Sequence, residues 1–271
     1  MVGGSGFLGM EITRQARLAG HNVVATCHSR VPADNGVDWQ VLDIRDRDGV
    51  IALAARARPE LVINAAYRKS DWATTADGGM HVALAGAAVG ARLVHVSSDA
   101  VFSGMTASYD ETHAPDPTTP YGAAKAAAET AVKGLMPTAV IARTSLIIGN
   151  GDSQHERFVH ALASGAATGA LFTDDVRCPV HVTDLAAALL ELATSPYAGV
   201  HHVAGADATS RYELGVLVAQ RDGLDPAALP TAVRAGSGLA GPIDIRLDCA
   251  QTQARLMTRL RGAREFLTPR P

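Results

Sequence analysis

Aromatic side chains are scarce in this 271-residue chain: five Phe, five Tyr and two Trp make up 4% of it. Alanine is abundant instead, so its helices are expected to pack closely through small side chains. Cysteine is scarcer still, with Cys27, Cys178 and Cys249 far apart. That excludes a disulfide framework and the paired spacings of zinc or redox sites, and reads as reduced thiols in a cytoplasmic protein. Basic charge is not in excess: the net charge is −3 and the pI is near 6.3. Nucleic acid and anionic lipid are therefore not expected partners. Apolar runs such as Ala186–Leu190 are too short to cross a bilayer. No charged region precedes an apolar run at the N-terminus, so no signal peptide is expected. The chain lacks internal repeats and low-complexity linkers. His155, His160, His181, His201 and His202 have no metal spacing with acidic partners, so no metal is expected.

What is present is alternation. The pattern predicts a helix from about Met10 to Ala19, a strand at 21–26 and another at 39–42. A helix over 48–58 and a buried strand at 61–64 follow, then a helix at 81–89 and a strand at 92–97. Pro120–Gly134 reads as a helix with Thr119 as N-cap and Pro120 at its first position, before a strand over 138–148. Strands rich in Val, Ile and Leu joined by helical crossovers imply an α/β fold, a doubly wound parallel sheet covered on both faces. The expected division is a nucleotide-binding domain over 1–150 and a small C-terminal substrate lobe over 151–271, interleaved with the last sheet elements. In the lobe, Thr183 or Asp184 is the expected cap of a helix over 185–193, and Ser210-Arg-Tyr-Glu213 reads as a capping box.

Gly3-Gly4-Ser5-Gly6-Phe7-Leu8-Gly9 carries glycines at 3, 6 and 9, the spacing that lets backbone approach a pyrophosphate and a helix N-terminus point at it. Gly3, Ser5, Gly6, Phe7 and Leu8 are the candidate contacts. Such a loop should follow a strand, yet only Met1 and Val2 precede it. The expectation is that the reading frame starts further upstream, or that another segment or chain fills this place. At the end of the second strand an acid would favour NAD. The chain has His28-Ser29-Arg30, and Ser29 and Arg30 suit a 2′-phosphate, so NADP(H) is preferred, with NAD(H) the second choice. Asp43 and Ile44 are placed to contact adenine, and Asn64-Ala65-Ala66 puts small residues where a cofactor would lie flat.

Ser97-Ser98 is followed by Tyr121-Gly-Ala-Ala-Lys125. A Tyr and a Lys four apart share one helix face. A free phenol has a pKa of about 10, and a nearby cation pulls it toward the working range. Ser98 opposite would hold a substrate oxygen.

Together these residues resemble the extended short-chain dehydrogenase/reductase superfamily, nearest its dTDP-4-dehydrorhamnose reductase-like, sugar nucleotide-binding branch. The matching pieces are Gly3-x-x-Gly6-x-x-Gly9, Asn64-Ala-Ala66, Val96-Ser-Ser-Asp-Ala-Val-Phe-Ser-Gly104, Tyr109-Asp-Glu111 and Pro115-x-Pro117. Tyr121-Gly-x-x-Lys125, Glu129, Arg143-Thr-Ser145 and Arg177-Cys-Pro-Val180 complete them. The resemblance implies a Rossmann fold binding NADP(H), with Tyr121 as general acid and Ser98 stabilising the substrate oxygen. Lys125 would lower the Tyr121 pKa and hold the nicotinamide ribose, and Arg68 and Tyr121 are cofactor contacts as well. Val101, Phe102, Arg143 and Arg177 are the further substrate candidates, the arginines as ligands of a diphosphate, with a surface salt bridge as the competing reading of each. The branch also contains the methionine adenosyltransferase regulatory subunit, a binding protein, and His28-Ser29-Arg30 and Arg68 look similar to it. One departure is a segment between Asn64 and Ser98 shorter than usual by roughly nine residues, about two and a half helical turns, which removes an asparagine used by many members. Three readings stay open: an NADPH-dependent reductase of a keto group on a nucleotide sugar, an NADP-binding regulatory protein, and, less favoured, an NAD-holding epimerase or dehydratase. The alanine-rich helix after Lys125 could serve a homodimer.

Overall fold

In the computed structural model, which describes residues 1–33 and 36–268, parallel strands form the centre and helices cover both faces. The first elements are α1 (Phe7–Leu18), β1 (Val24–Cys27), β2 (Asp38–Val41), α2 (Arg47–Ala57) and β3 (Leu61–Asn64). A π-helical turn, Ala73–Asp77, runs directly into α3 (Gly78–Val89), followed by β4 (Arg92–Ser98). Then come α4 (Pro120–Leu135), β5 (Val140–Thr144), β6 (Ile147–Ile148) and α5 (Gln154–Ala163). The lobe adds β7 (Leu171–Phe172), β8 (Val176–Arg177), β9 (Val180–His181), α6 (Val182–Thr194), β10 (Gly199–His202), β11 (Thr209–Ser210) and α7 (Arg211–Arg221).

β10, β5, β4 and β3 lie side by side in that order, all parallel, and β1 pairs with β2 in parallel. Two residues join these sheets. The Thr26 amide donates to the Met1 carbonyl at 2.9 Å, the Val2 amide to the Ile63 carbonyl at 2.9 Å, and the Ala65 amide to the Val2 carbonyl at 3.0 Å. Met1 and Val2 thus stand where the sequence pattern calls for a central strand. The Met1 nitrogen donates to the Val24 carbonyl at 2.7 Å.

Every residue of β5 is buried, as is the middle of β4, which explains their uninterrupted apolar character. One face packs on α1 and α6 through Leu8, Ile12, Leu185, Leu189 and Leu192. The other packs on α2, α3 and α4 through Val50, Val82, Ala83 and Val132. β10 comes from the second half of the chain yet pairs with β5, so the lobe is woven into the sheet. A separate apolar cluster holds α5 and α7 together through Val159, Leu162, Leu214 and Val218.

Local signals set several boundaries. Thr119 caps α4 by accepting from the Gly122 amide at 3.1 Å, and Ser210 and Glu213 form the expected capping box of α7. The cap of α6 is a correction. His181 performs it, while the Asp184 carboxylate is taken by Arg261 at 2.7 Å. The expected strand over 138–148 is split into β5 and β6, and the helix expected at 81–89 begins earlier, at Gly78. Among the described residues, no helix is long and apolar enough to cross a membrane.

Candidate active site

The central residues Met1–Val2 lie between β1 and β3, where the strand order reverses, and a crevice for a ligand is expected there at the carboxyl ends of the strands. Gly3 enters it with φ +75°, and a Cβ at this position would come within 2.7 Å of the Ala66 amide nitrogen. A Cβ on Gly9 would lie 2.1 Å from the Gly3 carbonyl oxygen. Side chains at these two positions would fill the cradle. Gly6 is the N-cap of α1 and provides no side-chain cap, so the first N–H groups of the helix face a ready place for an anion. Across the crevice the Asn64 carboxamide accepts from the Ala66 amide at 3.1 Å and holds Ala65-Ala66 in place.

Ser29 and Arg30 are exposed just past β1, on the same edge. His28 stands 3.7 Å from the Asp43 carboxylate. Hydrogen bonds from Arg45, shortest 2.6 Å, hold Asp43 well below the usual carboxylate range. Ile44 is buried. Arg68 is exposed, and its backbone amide and carbonyl are pinned by the Thr75 hydroxyl at 3.1 and 2.8 Å. Thr75 belongs to the π-turn that precedes α3.

Where β4 meets α4, Ser98 hydrogen-bonds Tyr121, and the Tyr67 ring lies beside both Tyr121 and the Lys125 ammonium. A Cβ on Gly122 would sit 2.0 Å from the Ala100 carbonyl oxygen, so the glycine next to Tyr121 lets α4 touch the turn that follows Ser98. Ser98 Oγ donates to Asp99 Oδ1 at 3.1 Å and accepts from the Ala100 amide at 3.2 Å. Asp99 is itself fixed by the Ser145 hydroxyl at 2.7 Å. Lys125 is 2% exposed and donates to the Val96 carbonyl at 2.9 Å. Burial lowers its pKa to about 8, with the Glu129 charge acting the other way.

Tyr121 departs from expectation. Burial raises its pKa above the ordinary phenol value, and the hydrogen bond with Ser98 only partly opposes this. The expectation of a lowered value assumed an open helix face, where Lys125 would dominate. The buried setting lets desolvation win.

Four of the candidate substrate contacts are buried and have partners within the protein. Arg143 is 1% exposed and its guanidinium grips Glu129, also 1% exposed, at 2.8 and 3.0 Å. It also donates to the His113 carbonyl at 3.1 Å and stacks 4.9 Å from the Phe102 ring centroid. The pair is buried, so it is not a surface salt bridge. Phe102 is fully buried against Tyr109, with centroids 4.1 Å apart, and Val101 is fully buried in the same cluster. Arg177 points inward, to Asp175 at 2.7 Å and to the Pro242 carbonyl at 2.8 Å.

Other residues at the site escaped the sequence reading. A cavity of about 230 Å³ in the lobe is lined by His155, Phe158, Phe172, Asp175 and Arg211 among others. Asp175 is shared by Arg177, Arg234 at 3.0 Å and Arg211 at 3.5 Å, which leaves Arg211 the most loosely paired. Burial lowers the His155 pKa to about 3, and the Arg211 and Lys69 charges push the same way. Lys69 Nζ lies 5.9 Å from the Tyr121 ring centroid, and its charge also reaches His155 of the cavity. Tyr67 also borders Tyr121, with ring centroids 5.7 Å apart. The available signal was position: Tyr67 and Lys69 follow directly on a strand end at the switch point.

A parallel sheet with a glycine loop at its switch point, and a Tyr-x-x-x-Lys helix against the end of the next strand but one, define a Rossmann-type nucleotide-binding protein. More particularly, the chain belongs to the RmlD substrate binding domain family, whose model matches residues 1–269. The dTDP-4-dehydrorhamnose reductase of Mycobacterium tuberculosis (strain H37Rv) is 32% identical over 83% of this chain and 76% of its own length. Methionine adenosyltransferase 2 subunit beta of Xenopus laevis is 25% identical over 93% of this chain and 80% of its own. Among solved structures, the dTDP-4-dehydrorhamnose reductase of Bacillus anthracis in complex with NADP superposes with a TM-score of 0.81, covering 98% of this chain and 95% of that one at 24% identity.

Proposed function

We propose that this chain is an NADPH-dependent reductase of a keto group on a nucleotide sugar. The observation that carries the reading is the Ser98–Tyr121 hydrogen bond at the carboxyl end of β4, with Lys125 one turn along α4 from Tyr121 and bonded to the Val96 carbonyl. The glycine cradle and the free N-terminus of α1 suit a pyrophosphate. Ser29 and Arg30 suit a 2′-phosphate, and the Bacillus anthracis relative was crystallised with NADP. When bound, NADPH supplies the hydride for the ketone carbon.

Tyr121 then gives its proton to the ketone oxygen. The raised pKa keeps the phenol protonated at neutral pH, which suits the reductive direction. Ser98 positions that phenol, and its own orientation is set by Asp99. Lys125 holds positive charge beside the site and favours the phenolate left after proton transfer. Arg211, which lines the lobe cavity, and Lys69, near the Tyr121 ring, suit the diphosphate of a nucleotide sugar. Residues 1–150 would bind the cofactor and 151–271 select the substrate.

The test is NADPH oxidation with a panel of 4-keto nucleotide sugars. Turnover supports the reading; tight NADPH binding with no turnover on any of them sinks it. That second outcome is the one expected of a binding subunit, a reading favoured by the similarity to the methionine adenosyltransferase subunit. Reduction is expected to be level with pH on the acid side and to fall as pH rises through about 8, where Lys125 loses its proton. A profile flat to well above that value would remove Lys125 charge from the mechanism. Arg30→Ala is expected to weaken NADPH about tenfold or more, one charge-assisted hydrogen bond, and to leave NADH binding unchanged. Equal losses for both cofactors, measured by fluorescence titration, would place Arg30 away from the 2′-phosphate.

A further inference from the structure

Lys125 is a buried ammonium with three N–H groups, one of which goes to the Val96 carbonyl. The loop after β3 brings the ring of Tyr67 over it, with Lys125 Nζ 5.1 Å from the ring centroid. That distance falls within the range in which the negative face of an aromatic ring attracts a cation, and the attraction is strongest where water is excluded. The Tyr67 ring also touches Tyr121, tilted at 47°. The other titratable groups around Lys125 offer less. His95, from β4, is held neutral by burial and by Lys125 itself, with a pKa near 3. Glu129, one turn further along α4, is committed to Arg143 and to the Ser97 hydroxyl at 2.6 Å. Tyr67 itself remains half exposed, so the core does not depend on its bulk.

We infer that Tyr67 is a positioning residue, whose ring face keeps the Lys125 ammonium charged and fixed beside Tyr121. The inference builds on the reductase reading but concerns a contact that exists without turnover. The ring face does this and the phenol oxygen does not, so Tyr67→Phe should preserve the effect and Tyr67→Leu should remove it while keeping an apolar cover.

The chain has three lysines, Lys69, Lys125 and Lys133, so protein labelled with ¹³Cε-lysine gives few signals, and Lys125→Arg assigns the one of interest. Lys125 is expected to titrate at about 8 in the native protein. It should do the same in Tyr67→Phe and roughly half to one pH unit lower in Tyr67→Leu. With a keto sugar that turns over, kcat in Tyr67→Leu should fall about threefold to tenfold, with the sugar KM unchanged and the alkaline limb shifted down equally. Tyr67→Phe should restore both. An identical Lys125 titration in all three proteins, or a loss in Tyr67→Phe as large as in Tyr67→Leu, overturns the inference. If native protein oxidises NADPH with no keto sugar, the reductase reading fails, and the lysine titration still decides the Tyr67 contact.

Discussion

Tyr121→Phe is expected to lower kcat for ketone reduction by about 10²–10⁴-fold, the usual worth of a positioned general acid. The ring is kept, so the packing against Tyr67 and the fit of α4 against the Ser98 turn are kept with it. NADPH affinity should therefore be unchanged. A raised phenol pKa makes this loss sharper in the reductive direction, because the native tyrosine stays protonated as pH rises. Rate measurements under saturating substrate, paired with a cofactor binding titration, separate the two quantities. Activity near the native level would mean that the proton comes from elsewhere, and Lys69 is the next group to replace, being 5.9 Å from the Tyr121 ring.

Glu129→Ala is expected to cost about 3–5 kcal/mol of stability, because it strands the Arg143 guanidinium in the core without its counter-charge. That is a fifth or more of the about 5–15 kcal/mol that holds a typical protein folded. The Ser97 hydroxyl loses its acceptor in the same step. Replacing both partners together, Glu129→Leu with Arg143→Met, should recover most of the loss, since no unpaired charge remains. Denaturant unfolding of the two variants measures this. The outcome also separates two roles for Arg143. A diphosphate ligand would give Arg143→Ala normal stability and a raised KM for the sugar nucleotide. A buried framework residue gives the reverse.

The same pair shows why part of this site was legible and part was not. Tyr121 and Lys125 were visible because helical spacing alone puts them on one face. Arg143 was visible as a residue of interest, yet its partner Glu129 lies on a different element, and only the packing of α4 on β5 brings them together. Gly122 was present in the motif, but its purpose depends on Ala100, which lies 22 residues earlier in the chain. Tyr67 and Lys69 belong to a short loop whose course is set by β3, the π-turn and α4 together.

By itself the sequence determined the alternation of strands and helices, the parallel sheet, the capping residues Thr119 and Ser210, and the glycine loop. Each of these rests on backbone geometry and on neighbours a few positions away. The tertiary structure alone decided how Met1 and Val2 join two sheets and that Arg143 and Arg177 face inward. It also decided that Tyr121 is raised rather than lowered, and that Tyr67 covers Lys125. These outcomes turn on burial and on the partner that lies opposite, and both are properties of the packed fold rather than of residue type or spacing.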